Sequence, residues 1–273
     1  FFFNTVPKIF TTILVIFFIK NKENFIFYPI INGYLLIISG IISIIFIILY
    51  FKLNKFSINL KSIFSNFKSG INNFVTTMSI TLYTNSNSFI LGLMTTNTIV
   101  GYYTTAENFT NVLKSITSSV IQALFPNFSK KIHENEIEGI KSIKKIVPIL
   151  LMGNLIMFIF VFFLSSFLTK IVGEKFSESI NILKILSVVP IFIAISSSFS
   201  ILGLLNLRKS AIVAKIALIG GFVGIISSIL LTFFFKHYGT AIASVIAEVI
   251  IAGLGFYYFS KYEKKIEKRL EKN

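Results

Sequence analysis

Long apolar runs separated by short polar segments make up most of the chain, from its first residues to about residue 260. Each run has about twenty residues, the length of an α-helix that crosses the roughly 30 Å hydrocarbon core of a bilayer. The runs are continuous rather than alternating, which predicts helices, because lipid admits only helices and closed barrels. The pattern predicts eight spans: 1–19, 25–51, 70–94, 98–125, 146–169, 180–205, 211–235 and 239–260.

Composition supports an all-α polytopic membrane protein. The chain is 54% hydrophobic and 14% charged, whereas soluble domains carry about 25% charged residues. It has no cysteine, which excludes disulfides and thiolate metal sites. Both histidines, His133 and His237, fall in predicted loops, and we expect them to be solvated rather than metal ligands. Nucleotide-binding and hydrolase motifs are missing, so we predict no metal, no cofactor and no enzymatic activity.

The net charge of +15 is distributed unevenly between alternate loops. Segments 52–69, 127–145 and 206–210 and the basic tail 261–273 together carry 17 Lys and Arg, against 5 in the intervening loops. The positive-inside rule therefore predicts that both ends of this chain face the cytoplasm. Lysines that flank spans interact with anionic lipid, so membrane lipids are the expected partners and nucleic acid is not.

Three further patterns concern the helices themselves. Residues 52–69 are amphipathic and predict an interfacial helix that links two bundles. Pro190 lies inside span 180–205 and predicts a kink. Gly220, Gly224 and Ser228 recur every four residues, which predicts close helix packing. The chain begins "FFFNTVPKIF", and we expect a preceding part to be missing.

The span 98–125 carries a continuous polar stripe. Glu107, Asn111, Lys114, Ser118 and Gln122 fall on one helical face. Charged groups at this depth face protein or water rather than lipid. Two interpretations remain open: the acid and the amine neutralise each other, or the stripe lines a cavity that receives a polar, anionic substrate. The length of the stripe favours the cavity.

Two neighbouring spans hold further candidates. Asn85 and Asn87 lie in "YTNSNSF" of the preceding span and could pair with the stripe or make ordinary interhelical hydrogen bonds. Glu248 lies near the middle of span 239–260 among small residues. A protonatable or ion-binding role and a structural hydrogen bond in helix packing are equally compatible with that position.

Four motifs, in order, resemble the polysaccharide (O-antigen type) flippases of the multidrug/oligosaccharidyl-lipid/polysaccharide exporter superfamily. They are "ILGLMTTNTIVGYYTTAENF", "ALFPNFSK", "IVGEKFSESINILKIL" and "YGTAIASVIAEVI". The resemblance covers nearly the whole chain and is strongest over residues 70–260. It implies two six-helix lobes around a central cavity. Residues 1–51 would be the last two helices of an incomplete N-terminal lobe, 52–69 a cytoplasmic linker and 70–260 a six-helix C-terminal lobe.

The function implied by the resemblance is export of a lipid-linked oligosaccharide across the bacterial cytoplasmic (inner) membrane by alternating access. The expected substrate is an undecaprenyl-diphosphate-linked glycan, and glycan polymerase and assembly proteins are expected partners. A cation-coupled multidrug exporter of the same superfamily is the nearest alternative. A membrane-embedded glycan polymerase or ligase would need a larger outward loop than the ten residues of "KIVGEKFSES".

Overall fold

In the computed structural model, the described residues are 2–18, 26–52, 60–172 and 177–270, and their regular structure is entirely helical. This confirms the all-α fold class. The elements are α1 (Phe2–Phe18), α2 (Phe27–Tyr50), α3 (Leu60–Met94), α4 (Asn97–Glu134), α5 (Glu136–Val172), α6 (Ser177–Leu186), α7 (Val189–Ser197), a π-helix (Ser198–Leu205) and α8 (Ser210–Leu270).

Among the described residues, four stretches are long and apolar enough to cross a membrane: Phe27–Tyr50, Glu136–Leu164, Ser177–Leu205 and Ser210–Lys268. The last has 59 residues and one crossing takes about 20, so α8 has the length of the two spans predicted there. Helices α3 and α4 contain the predicted spans 70–94 and 98–125 but are less apolar. Long apolar helices of this kind identify a multi-pass membrane protein.

The chain divides into two compact units, Phe1–Ser65 and Asn66–Asn273. In the first unit α1 packs on α2, and an apolar cavity of about 350 Å³ lies between side chains that include Phe10 and Ile38. Most large side chains of α2 are exposed, among them Ile44 and Leu49. Exposed aliphatic side chains at this density suit a lipid environment, where no hydrophobic effect drives them inward.

The second unit contains two groups of buried apolar side chains. One joins α4 and α5 to the π-helix and α8, and includes Ile121, Ile143 and Leu202. The other lies where α3, α4, α6 and α8 meet, and includes Leu91, Tyr103 and Ile182. Buried polar residues, among them Asn87, Ser244 and Glu248, lie in the same unit.

Several predicted spans are interrupted or extended in the structure. Span 180–205 is broken rather than kinked, because α6 ends at Leu186 and Pro190 lies in the first turn of α7, where proline is tolerated. The sharp bend in α8 is at Lys236, with a positive φ of 50°. Of the predicted linker 52–69, residues 53–59 lie outside the described residues, and from Leu60 the chain is already α3.

The small-residue stripe of α8 packs as predicted. A Cβ on Gly220 would lie 2.1 Å from Cγ1 of Ile251, and one on Gly224 would lie 3.1 Å from Cβ of Ala247. Ser228, the third member, is fully buried. These contacts confirm that the first arm of α8 (residues 210–235) packs closely on the second (residues 237–270), because only small side chains permit that approach.

Candidate functional site

The polar stripe of α4 lies beside the buried face of the helix. That buried face comprises Tyr103, Ala106, Thr110, Thr117, Ile121, Phe128 and Ile132. At 100° per residue the stripe is rotated by roughly a quarter turn from it. Asn111 and Gln122 are exposed, and Lys114 and Ser118 are partly buried. The stripe therefore runs along the edge of the second unit's core rather than inside it.

Glu107, at the start of the stripe, is bound from two sides. The hydroxyl of Ser88 on α3 donates to its Oε2 at 3.2 Å. The hydroxyl of Tyr103, one turn earlier on α4, lies 3.4 Å from its Oε1. Both donors stabilise a carboxylate in a poorly hydrated position, because buried polar groups require hydrogen-bond partners.

Tyr103 extends this network from α4 to α8. Its side chain is fully buried, and its hydroxyl lies 3.2 Å from Oγ of Ser244. The ring packs among the buried residues where α3, α4, α6 and α8 meet. The spacing Tyr103–Glu107 is i, i+4, which puts both side chains on one face and could have revealed the contact.

Of the two asparagines on α3, only Asn87 enters this network. Its Nδ2 donates to Oγ of Ser244 at 2.9 Å, and the side chain is buried. Asn85 is exposed. Oδ1 of Asn87 is buried, and no donor from the described residues reaches it. Asn87 therefore makes the interhelical hydrogen bond that was one of its two predicted roles.

Glu248 on α8 has a direct partner on α3. The hydroxyl of Tyr83 donates to its Oε1, and both side chains are buried. Tyr83 was not singled out from the sequence, although it is one helical turn before Asn87 and shares its face. Tyr83 and Asn87 together hold α3 against α8 through two buried polar contacts.

Among the described residues, Lys114 has no carboxylate within ion-pair distance. The ion pairs in that part of the chain are Lys130–Glu134 and Lys144–Glu263, and His237 could pair with Glu178 only when it is protonated. The structure therefore does not bring the acid and the amine of the stripe into direct contact.

A second polar cluster, which the sequence did not predict, lies where α8 bends. Tyr238 donates its hydroxyl hydrogen to Oε2 of Glu178 at 2.6 Å, and Nε2 of His237 lies 3.9 Å from the same oxygen. His237 was expected to be solvated, and this was wrong because its ring is buried at the bend against that of Tyr238. His133 is exposed, as expected.

Burial sets the titration behaviour of this second cluster. Loss of hydration lowers the pKa of His237, while Glu178 opposes and Lys236 reinforces that shift. The hydrogen bond to Glu178 raises the pKa of Tyr238. Among the described residues no group of three His, Cys, Asp or Glu side chains could hold a metal ion.

One further polar contact joins α4 to α5. The hydroxyl of Thr117 donates to Oδ1 of Asn154 at 2.6 Å, and Nδ2 of Asn154 donates to the carbonyl of Leu150. Both side chains are buried. Asn154 was not identified from the sequence, because a lone amide in an apolar run carries no spacing signal.

Comparison with known proteins is consistent with this architecture. The family model described as "Polysaccharide biosynthesis protein" matches residues 1–132. A "Putative O-antigen transporter" from Escherichia coli (strain K12) is 24% identical over 88% of this chain and 58% of its own length. A second, from Shigella dysenteriae, is 24% identical over 90% of this chain and 62% of its own length.

The chain thus spans about three fifths of the length of these relatives. No solved structure matches it. The family model ends at residue 132, whereas the two relatives match 88% and 90% of the chain. The chain is thus similar to polysaccharide biosynthesis proteins over residues 1–132 and to the two putative O-antigen transporters over most of its length.

Proposed function

We propose that the chain is part of a flippase that moves a lipid-linked oligosaccharide across the cytoplasmic membrane for assembly of a cell-surface polysaccharide. The observation that carries this proposal is the polar stripe of α4, whose members Asn111 and Gln122 are exposed on a membrane helix. Polar groups exposed at that depth need a polar partner or water. The two relatives named as O-antigen transporters support a glycan as the cargo.

Lys114 is the residue proposed to attract the substrate. A diphosphate-linked sugar is anionic, and the ammonium of Lys114, which has no carboxylate within ion-pair distance among the described residues, can bind such a ligand. Glu107 is held in place by hydrogen bonds from Ser88 and Tyr103. Its carboxylate can therefore act on Lys114 electrostatically without moving into an ion pair with it. Ser118 and Asn111 would supply further hydrogen bonds along the stripe.

Alternating access is proposed as the mechanism. Transporters of this kind use interrupted helices near the substrate path. Here α6 ends at Leu186 and α7 begins at Val189, the π-helix Ser198–Leu205 follows directly, and α8 bends at Lys236. Each break is a position where one helical segment can rotate relative to the next.

The test is surface-glycan display by full-length protein carrying Lys114→Ala. We expect loss of surface glycan with an unchanged amount of folded protein in the membrane. The matched control is Lys215→Ala, since Lys215 is an exposed lysine within a predicted span of α8 and does not belong to the stripe. Normal glycan display by Lys114→Ala would refute the proposed substrate site.

A cation-coupled exporter of the same superfamily is the second candidate, and the buried carboxyl group of Glu248 favours it. Such a carboxyl group can bind and release a proton or a metal cation during transport. Transport of a small organic cation that is lost on Glu107→Gln but retained on Lys114→Ala would favour this candidate over glycan export.

A further inference from the structure

The last four turns of α8 present one strongly basic face. An open cavity of about 550 Å³ runs along it, bordered by Phe256 and Tyr257 and by the lysines Lys261, Lys264, Lys265 and Lys268. At 100° per residue these side chains lie within one half of the helix circumference. The two aromatic rings are exposed and stand at the end of the apolar part of α8, where it changes to a charged sequence.

The opposite face of the same segment is fixed to the second unit. Tyr262 and Ile266 pack against its buried core. Nζ of Lys144 on α5 lies 2.5 Å from Oε1 of Glu263, and Lys209 lies over the Tyr262 ring at 5.2 Å. These contacts determine the rotation of the helix, so the lysine face is held in one orientation.

Among the residues that the structure describes, the lysines on this face have no carboxylate within ion-pair distance. Glu263 is already paired with Lys144, and Glu267 makes no ion pair in that part of the chain. Lys261, Lys264 and Lys268 are exposed. Lys265 also borders a smaller cavity beside Glu136. The face therefore concentrates the positive charge of four lysines.

We propose that this face is a binding site for the phosphate headgroup of an anionic membrane phospholipid. Tyr257 would lie at the level of the headgroups, where tyrosine is favoured, with Phe256 beside it and the lysines within reach of the phosphate. Clusters of lysines directly beyond a membrane helix bind anionic headgroups in this way. The site depends on α8 being a membrane helix and is independent of the cargo that the protein transports.

The absence of tryptophan from the chain allows a direct test. Tyr257→Trp places a single tryptophan, which can be excited selectively, on the basic face of the full chain, purified and reconstituted in vesicles. Quenching by brominated phosphatidylglycerol is compared with quenching by brominated phosphatidylcholine. We expect phosphatidylglycerol to bind on the order of tenfold more tightly, since each lysine at the surface favours an anionic lipid by about fivefold and salt reduces the effect.

The decisive variant adds Lys261→Gln, Lys264→Gln and Lys268→Gln to Tyr257→Trp, and we expect the two lipids to quench it equally. The control adds Lys130→Gln, Lys141→Gln and Lys145→Gln instead. These remove the same charge from exposed positions of α4 and α5, and we expect the preference for phosphatidylglycerol to persist. Circular dichroism and gel filtration establish that both variants are folded.

Three results would overturn the proposal. One is equal quenching of the Tyr257→Trp protein by the two lipids. Another is a preference that survives in the decisive variant or disappears equally in the control, because the effect would then reflect overall charge. The third is loss of the preference in millimolar inorganic phosphate at constant ionic strength, which would identify a site for free phosphate rather than for a lipid headgroup.

Discussion

Tyr83 on α3 and Glu248 on α8 form a hydrogen bond between two buried side chains that are 165 residues apart in the sequence. The phenol donates and the carboxyl group accepts. A carboxyl group without a donor is costly to bury, so Tyr83 determines whether Glu248 can occupy this position. The pair also joins two helices that the chain order separates.

Tyr83→Phe should destabilise the protein, because it removes the donor and leaves the carboxyl group of Glu248 buried without it. The expected loss is about 1–3 kcal/mol in the free energy of unfolding, measured as a lower thermal midpoint in detergent. Tyr257→Phe is the matched control, since that ring is exposed and its hydroxyl has no comparable partner there. Equal midpoints for the two variants would show that the contact does not stabilise the fold.

The thermal midpoints of Asn87→Ala and Asn85→Ala should show which of the two asparagines stabilises the fold, which the sequence did not distinguish. Asn87→Ala loses the hydrogen bond to Ser244. Interhelical hydrogen bonds of this kind contribute about 0.6 kcal/mol each to the stability of membrane proteins, so the thermal midpoint should fall. Asn85→Ala removes an exposed amide and should leave the thermal midpoint unchanged. A greater loss for Asn85→Ala would contradict the assigned packing of α3.

Gly220→Ala should disturb the packing between the two arms of α8. The added methyl would overlap the side chain of Ile251, and overpacking of this kind costs about 1–3 kcal/mol in stability. Gly153→Ala on α5 provides the control, because open space surrounds its Cβ position and alanine is the better helix former. Thermal unfolding of both variants checks the prediction, which fails if Gly220→Ala is as stable as Gly153→Ala.

The bend in α8 should weaken on acidification. The pKa of His237 is lower in the folded protein than its ordinary value of 6.5, so the unfolded state binds protons more readily and stability decreases as pH falls below about 6.5. The raised pKa of Tyr238 keeps that phenol neutral over the same range. Thermal midpoints between pH 5 and 8 should therefore decline toward low pH.

His237→Gln is the control for this pH dependence. It removes the titrating ring while leaving Tyr238 and Glu178 in place, and the decline below pH 6.5 should become shallower. An unchanged pH profile in His237→Gln would assign the dependence to other groups.

The sequence alone was sufficient to predict the fold class, because a helix that crosses the membrane needs an apolar run as long as the hydrocarbon core is thick. It also identified Glu107, Lys114 and Glu248, since charged residues stand out in an apolar sequence, and it predicted the close packing at Gly220 and Gly224. The division into lobes at residues 51 and 70 and the cytoplasmic placement of both ends remain predictions.

What the sequence could not provide was the partner of each polar group. Ser244 accepts a hydrogen bond from Asn87 and forms one with Tyr103, and Tyr83 donates one to Glu248. Each of these bonds joins helices that are distant in the chain. A helical wheel gives the face on which a side chain lies, but not the rotation of the helix against its neighbours. Apolar periodicity therefore determined the membrane helices of this protein. Only their packing decided that Tyr103 and His237 are buried and that, among the described residues, Lys114 has no carboxylate within ion-pair distance.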